Sequence, residues 1–262
     1  MINKTYIEIV RLLLESAPAI FETPHFAMKG GTAINLFIED MPRLSVDIDV
    51  VYPDYQATRD EALKSISKGL DAVRKQLAKA GLESDISATK DGDETKLFIW
   101  RGRNQVKAEV NHVFRGAVMP VETRRLGSEA RTFFTTELSV PVLATSELYG
   151  SKLVAAMDRQ HPRDLFDVHG LFERGGLTAD VVECFVCYLA GHNRPVHEVL
   201  FSRDIDMSSA FDNEFAGMAR DPITLAELQQ VRRKLKKELP AALTPNQRQF
   251  LMALLQTNPT GD

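Results

Sequence analysis

The chain has 262 residues, 44% of them hydrophobic and 26% charged, and 32 basic against 36 acidic side chains leave a net charge of −4. Those proportions exclude a disordered chain, a collagen and a coiled coil, and they allow one large domain or two modest ones with a core that needs neither disulfides nor metals. The two cysteines, Cys184 and Cys187, exclude a disulfide scaffold and fit a reducing compartment, and the acidic balance confines any nucleic-acid binding to a local basic patch.

Ile2, Ile9, Val10, Leu13 and Leu14 recur at helical spacing and predict an amphipathic helix over 4–16, closed by Pro18 and Pro24. Lys4, Glu8, Arg11 and Glu15 interrupt its apolar pattern, so no signal peptide is expected, and no apolar run approaches the ~18 residues that a bilayer requires. The expectation is a cytoplasmic protein with no membrane segment. A short apolar piece at 26–28 runs into Gly30, Gly31 and Thr32, and a helix over 33–37 follows, so the glycines fall at a strand-to-helix turn. Residues 45–52 alternate, with Val46, Ile48 and Val50 facing one way and Asp47, Asp49 and Val51 the other, and read as a strand. Charges spaced through 58–80 predict a long surface helix. Strands over 96–100 and 106–113 flank a turn at 101–104, and a further strand is expected over 133–140. Beyond Pro141 the pattern becomes helical, over 146–158, 163–173, 178–190, 224–238 and 245–256, with a capping box at Thr224 and Glu227. Residues 201–222 have no clear pattern. The expected class is α+β: a mixed-sheet domain over 1–140 and a helical domain over 141–262.

Asp47 and Asp49 are two residues apart on a strand and so share one face, ~7 Å apart at Cα. Such a pair suits a hard divalent cation such as Mg²⁺, although a charged strand edge carries the same pattern. The Gly30-Gly31-Thr32 turn allows backbone to approach a phosphate, or Thr32 is a plain N-cap. Residues 96–131 hold eight Lys or Arg against three Glu, a candidate patch for a phosphate backbone or simply a solvated face. Phe98 and Trp100 lie in that stretch, either stacking on bases or buried in the core. Cys184 and Cys187 have no second cysteine pair and read as core thiols rather than zinc ligands, and His161, just before Arg163 and Asp164, either approaches a site there or is loop surface.

Taken together, K-G-G-T-A-I-N-L-F at 29–37 and R-L-S-V-D-I-D at 43–49 resemble the nucleotidyltransferase superfamily. The fuller string is similar to the AbiEii/AbiGii toxin family and the related MenT toxins, with Ser151-Lys152 and R-D-L-F-D at 163–167 as later motifs. The resemblance covers roughly residues 26–173. It implies that Asp47 and Asp49 bind Mg²⁺, with Glu109 as a third carboxylate from a neighbouring strand; a solvent-facing Glu109 alternating with Lys107 is the plain alternative. It implies that Gly30, Gly31, Thr32 and Ser45 meet the nucleotide and that Lys152 meets the triphosphate. Asp164 is then the catalytic-site carboxylate, with Asp167 as the alternative. If Lys152 serves the same reaction as Asp47 and Asp49, the two domains are expected to face each other across the NTP, and loss of Lys152 is expected to spare folding. The implied activity is transfer of NMP from an NTP to an RNA acceptor, the tRNA 3′ end, by a toxin paired with a cognate antitoxin. The rival readings are an aminoglycoside-type, small-molecule nucleotidyltransferase and a nucleotide-binding module without catalysis.

Overall fold

The computed structural model describes residues 4–22, 26–88, 94–111 and 116–257. Ile2, Pro24, Val113 and Arg115 of the sequence reading lie outside the described residues. The chain divides into two compact units, one of residues 1–144 with 217–220 and one of 145–216 with 221–262.

The first unit opens with helix α1 (Lys4–Phe21). Pro18 lies inside this helix and does not close it, because Leu13, Leu14, Ala17, Ile20 and Phe21 continue one buried face past it. Packing of that face outweighs the ~3 kcal/mol that an internal proline costs. Strand β1 (Ala27–Lys29) leads directly into helix α2 (Gly30–Ala33), which continues as a π-helical turn over Ile34–Ile38. The helix therefore starts at the glycines themselves, three residues ahead of the position that the apolar pattern marks. Strand β2 (Asp47–Val51) and helix α3 (Arg59–Lys79) follow, the latter started by a Thr58–Glu61 capping box.

Strands β3 (Glu83–Ala88), β4 (Glu94–Arg101), β5 (Asn104–Asn111) and β6 (Glu122–Arg125), helix α4 (Ser128–Phe134) and strand β7 (Ser139–Val142) complete the unit. Phe133 and Phe134 close a helix and do not begin a strand: Thr135 adopts a left-handed conformation at φ 53° that ends α4 there. The seven strands form one mixed sheet in the order β3-β4-β5-β2-β1-β7-β6. β2 lies parallel to β5 and antiparallel to β1, in the middle of the sheet. Met28, Ile48, Val50, Leu97, Ile99, Val106, Ala108 and Val110 are buried, and α1 packs against β4, β5 and β7. Gly217–Arg220 joins this unit as well: Leu44 N–H donates to the Met218 carbonyl at 2.9 Å, and Arg220 N–H donates to Pro42 O at 2.8 Å.

The second unit is helical: α5 (Thr145–Asp158), α6 (Pro162–Glu173), α7 (Ala179–Ala190), α8 (Val196–Leu200), α9 (Ser208–Ala210) with a π-helical turn over Phe211–Phe215, α10 (Leu225–Ala242) and α11 (Pro245–Thr257). The Thr224–Glu227 capping box is present. α5 is the central helix, packed by α6, α7, α8 and α10. Buried Arg232 on α10 organises the patternless stretch after 201, donating to Ser202 Oγ at 2.6 Å and, at 3.4 Å, to the Met157 carbonyl at the end of α5. Gln160 holds the same stretch, donating to Arg203 O at 2.7 Å and accepting from Ile205 N–H at 3.2 Å.

Gly150 sets the approach of α5 to α7. A Cβ there would lie 2.5 Å from Cys184 Cβ and 2.7 Å from Phe185 N, so Cys184 is a packing thiol at a close helix crossing. Gly150→Ala is expected to cost about 1–3 kcal/mol through overpacking. The measurement is a urea titration; a midpoint equal to that of the wild type would show that the crossing opens freely.

Candidate active site

The first group of site residues is built by the β1–α2 turn and by β2. Gly30 has φ +74°, a left-handed conformation that glycine adopts without strain. A Cβ on Gly30 would lie 2.0 Å from Asp49 Oδ2, and one on Gly31 would lie 2.8 Å from Arg43 Nη2 and 3.2 Å from Ser45 Oγ. The two glycines thus make room for three side chains of the segment leading into and along β2. The Thr32 hydroxyl is buried and donates to the backbone carbonyl of Asp47, which ties the turn to the strand. Asn35 Nδ2 adds a bond to Gly31 O at 2.9 Å. The resemblance assigns phosphate contact to this turn; the packing shows a second reason for glycine, which is the close approach of Asp49, Arg43 and Ser45.

Asp47 and Asp49 face the same way on β2, while Ile48 and Val50 are buried on the other side. In the parallel pairing of β2 with β5, Asp47 sits opposite Lys107 and Asp49 opposite Glu109. The three carboxylates therefore share one face of the central sheet. Lys107 Nζ lies 2.6 Å from Glu109 Oε1 and 3.8 Å from Asp47 Oδ1, and Lys96 Nζ lies 3.5 Å from Glu109 Oε1. Desolvation opposes the charge on Lys107, but its bond to Glu109 and the fields of Asp47, Glu109 and Asp49 outweigh it and raise its pKa. Among the described residues no three His, Cys, Asp or Glu side chains converge as a finished metal cluster. The donor set is nonetheless one of hard oxygens around a point that already attracts an ammonium, and it fits a divalent cation held by Asp47 and Asp49, with Glu109 beside them.

The second group lies in the helical unit. Lys152 on α5 reaches Asp164 Oδ1 at 2.8 Å and Asp167 Oδ2 at 3.0 Å, both on α6. Arg159 adds a two-pronged contact to Asp164, at 2.6 Å and 3.0 Å. Lys152, Asp164 and Asp167 are all buried, so one cation faces two carboxylates out of solvent, and the exposed Arg159 supplies the second positive charge from the surface side. Burial opposes the charge on Asp164, yet Lys152 and Arg159 hold its carboxyl well below the usual carboxylate range. The partnership of Lys152 with both Asp164 and Asp167, and the part played by Arg159, were not legible in the sequence. The signal available was the i, i+3 spacing of Asp164 and Asp167 on one helix face. His161 caps α6, accepting from Arg163 N–H at 3.1 Å through Nδ1, and its Nε2 lies 3.1 Å from Glu214.

The basic surplus over 96–131 is largely compensated. Arg101 pairs with Glu15 at 2.7 Å, Arg125 and Arg131 pair with Glu137 at 2.9 and 3.3 Å, and Arg124 pairs with Glu122 at 2.5 Å. Glu15 and Glu137 come from outside the stretch, which is why a local count overstates the positive charge.

A glycine turn packed against the Asp49 carboxylate of a D-x-D strand is the arrangement expected of a nucleotidyltransferase. The family model for "Nucleotidyl transferase AbiEii toxin, Type IV TA system" matches residues 11–259. The chain belongs to this family of nucleotidyltransferase toxins, and membership implies an NTP substrate and an antitoxin partner. The fold is similar to that of MenT4, a nucleotidyltransferase toxin from Mycobacterium tuberculosis, with a TM-score of 0.67 and 20% identity over 94% of this chain and 86% of that one. Comparison with curated sequences gives no match. Among the described residues no helix is long and apolar enough to cross a membrane.

Two predictions come from this geometry. Gly30→Ala is expected to displace the Asp49 carboxylate and to cut nucleotide transfer by about 10²-fold, since ~1 Å of misplacement at a reacting site costs that much. Steady-state transfer kinetics on folded protein test it, and activity near that of the wild type would show that Asp49 has room to spare. Lys152→Met leaves buried carboxylates undercompensated and is expected to cost about 3–5 kcal/mol of stability, contrary to the expectation that its loss spares folding. Because the folded pKa of Asp164 is depressed, its contribution is present above the ordinary carboxylate pKa of ~3.9 and is lost as pH falls toward the folded value. Stability of the wild type should therefore decline below about pH 4 more steeply than that of Asp164→Asn, as read by urea midpoints across the acid range.

Proposed function

We propose that this toxin transfers an NMP unit from an NTP to the hydroxyl of an RNA acceptor, the tRNA 3′ end, in the cytoplasm, with Mg²⁺ as its metal. The observation that carries this reading is the common face of Asp47, Asp49 and Glu109 beside the Gly30–Thr32 turn in a chain of the AbiEii family. Asp47 and Asp49, with Glu109, hold the metal, which when bound stabilises charge on the transferring phosphoryl group. The Gly30-Gly31 backbone, Thr32 and Ser45 bind and orient the nucleotide. Lys152 is assigned to the triphosphate and Asp164, with Asp167 as the alternative, to the catalytic carboxylate; the resemblance supports these roles. RNA is the acceptor that the resemblance implies.

The experiment incubates the purified protein with Mg²⁺, each labelled NTP in turn and total tRNA. Label is expected to enter RNA with one NTP or a narrow subset. Asp47→Asn and Asp49→Asn each keep the shape of the site and remove a charge, and transfer is expected to fall by orders of magnitude in a folded protein. In bacteria, expression of the chain is expected to slow growth, and Asp49→Asn should relieve the effect. Label entering a small aminoglycoside and no RNA would replace the acceptor; bound NTP with no transfer would replace the reaction.

A further inference from the structure

Phe98 and Trp100 belong to the carboxylate face of the sheet and not to its core. Along β4 the side chains of Thr95, Leu97 and Ile99 are buried, while Lys96, Phe98 and Trp100 are partly exposed. Phe98 sits directly opposite Lys107 on β5, and Lys107 sits opposite Asp47 on β2, so one row across the sheet leads from an aromatic ring to a carboxylate of the site. The Phe98 and Trp100 rings are 6.1 Å apart between centroids and inclined by only 23°. Strand aromatics ordinarily turn inward, where burial stabilises them; here the core positions of β4 are filled by Leu97 and Ile99.

We propose that Phe98 and Trp100 form a stacking platform for unpaired bases of the RNA acceptor. The proposal rests on the reading above that the acceptor is RNA. Its position favours the acceptor over the NTP. In an in-line phosphoryl transfer the attacking oxygen and the leaving group lie on opposite sides of phosphorus. The Gly30–Thr32 turn follows β1, whereas the aromatic pair is on β4, across β2 and β5 in the order β4-β5-β2-β1. With adjacent strands ~4.8 Å apart, the Phe98 backbone is ~10 Å from that of Asp47, within reach of the last nucleotides of a strand whose terminal hydroxyl is at the site. Lys96 and Lys107 lie on the same face beside the rings, both paired with Glu109. Every base has a π face, so this platform tolerates any sequence and selects for unpaired strands.

Trp100 is the single tryptophan of the chain, so its emission reports directly on the platform. Titrating the full-length protein with a short mixed-sequence single-stranded oligoribonucleotide is expected to quench that emission, and NTP alone is expected to leave it unchanged. Trp100→Ala and Phe98→Ala are each expected to raise the KM for the RNA acceptor about tenfold, the lower part of the range for loss of one base–aromatic stack, and to leave the KM for NTP unchanged. Trp100→Phe, which retains a ring, should restore most of the loss. Urea titration of each variant separates this effect from unfolding. If the wild type extends RNA while both alanine variants keep the wild-type acceptor KM, the platform is wrong and the RNA reading stands. A raised KM for NTP with an unchanged acceptor KM also overturns it, in favour of the nucleotide base. A wild-type protein that extends no RNA, with Trp100 emission unmoved by the oligoribonucleotide, overturns both.

Discussion

The carboxylate of Asp49 fills the space that a side chain on Gly30 would need, and the geometry of the site depends on that contact. The Thr32 hydroxyl bonds to the Asp47 carbonyl, and Arg43 and Ser45 pack against Gly31, so the turn and the strand form one packed piece. β2 lies between β1 and β5, paired on both edges, which fixes the direction of both aspartates. A reacting group is useful only within a few tenths of an ångström of its place, and a central strand of a seven-stranded sheet provides that rigidity.

Charge is balanced differently in the two groups of site residues. On the sheet face, Asp47, Asp49 and Glu109 meet Lys107 and Lys96, whose ammonium groups are partly exposed. Partly solvated pairs of this kind are weak and exchange readily, which suits a face that must accept a cation and phosphates. In the helical unit, Lys152, Asp164 and Asp167 are buried, with Arg159 closing the cluster from a more exposed position. A buried charge without its partner is costly, so this cluster holds α5 and α6 in one arrangement whatever else its members do.

Elements whose patterns come from burial on one side were readable. α3, α5, α6, α7, α10 and α11 carry helical periodicity, and the Thr224–Glu227 capping box marks the start of one of them. β3 and β6 were not readable, because they are the two edges of the sheet and have little apolar alternation to show. β7 contains Pro141, and the helix before it ends in two phenylalanines; both features mislead a reading by residue type.

The sequence by itself determined the glycine turn, the D-x-D strand, the later Lys152 and Asp164 motifs and, through their order, the family. Only the tertiary structure decided that Glu109 lies opposite Asp49, that Lys107 sits among the carboxylates, that Lys152 is held by both Asp164 and Asp167, and that Phe98 and Trp100 face outward. The reason is register. Motifs are local and survive as strings, but a strand's two faces are assigned only when it pairs with partners far away in the chain. A shift of one residue in that pairing would send every side chain of β4 to the opposite face.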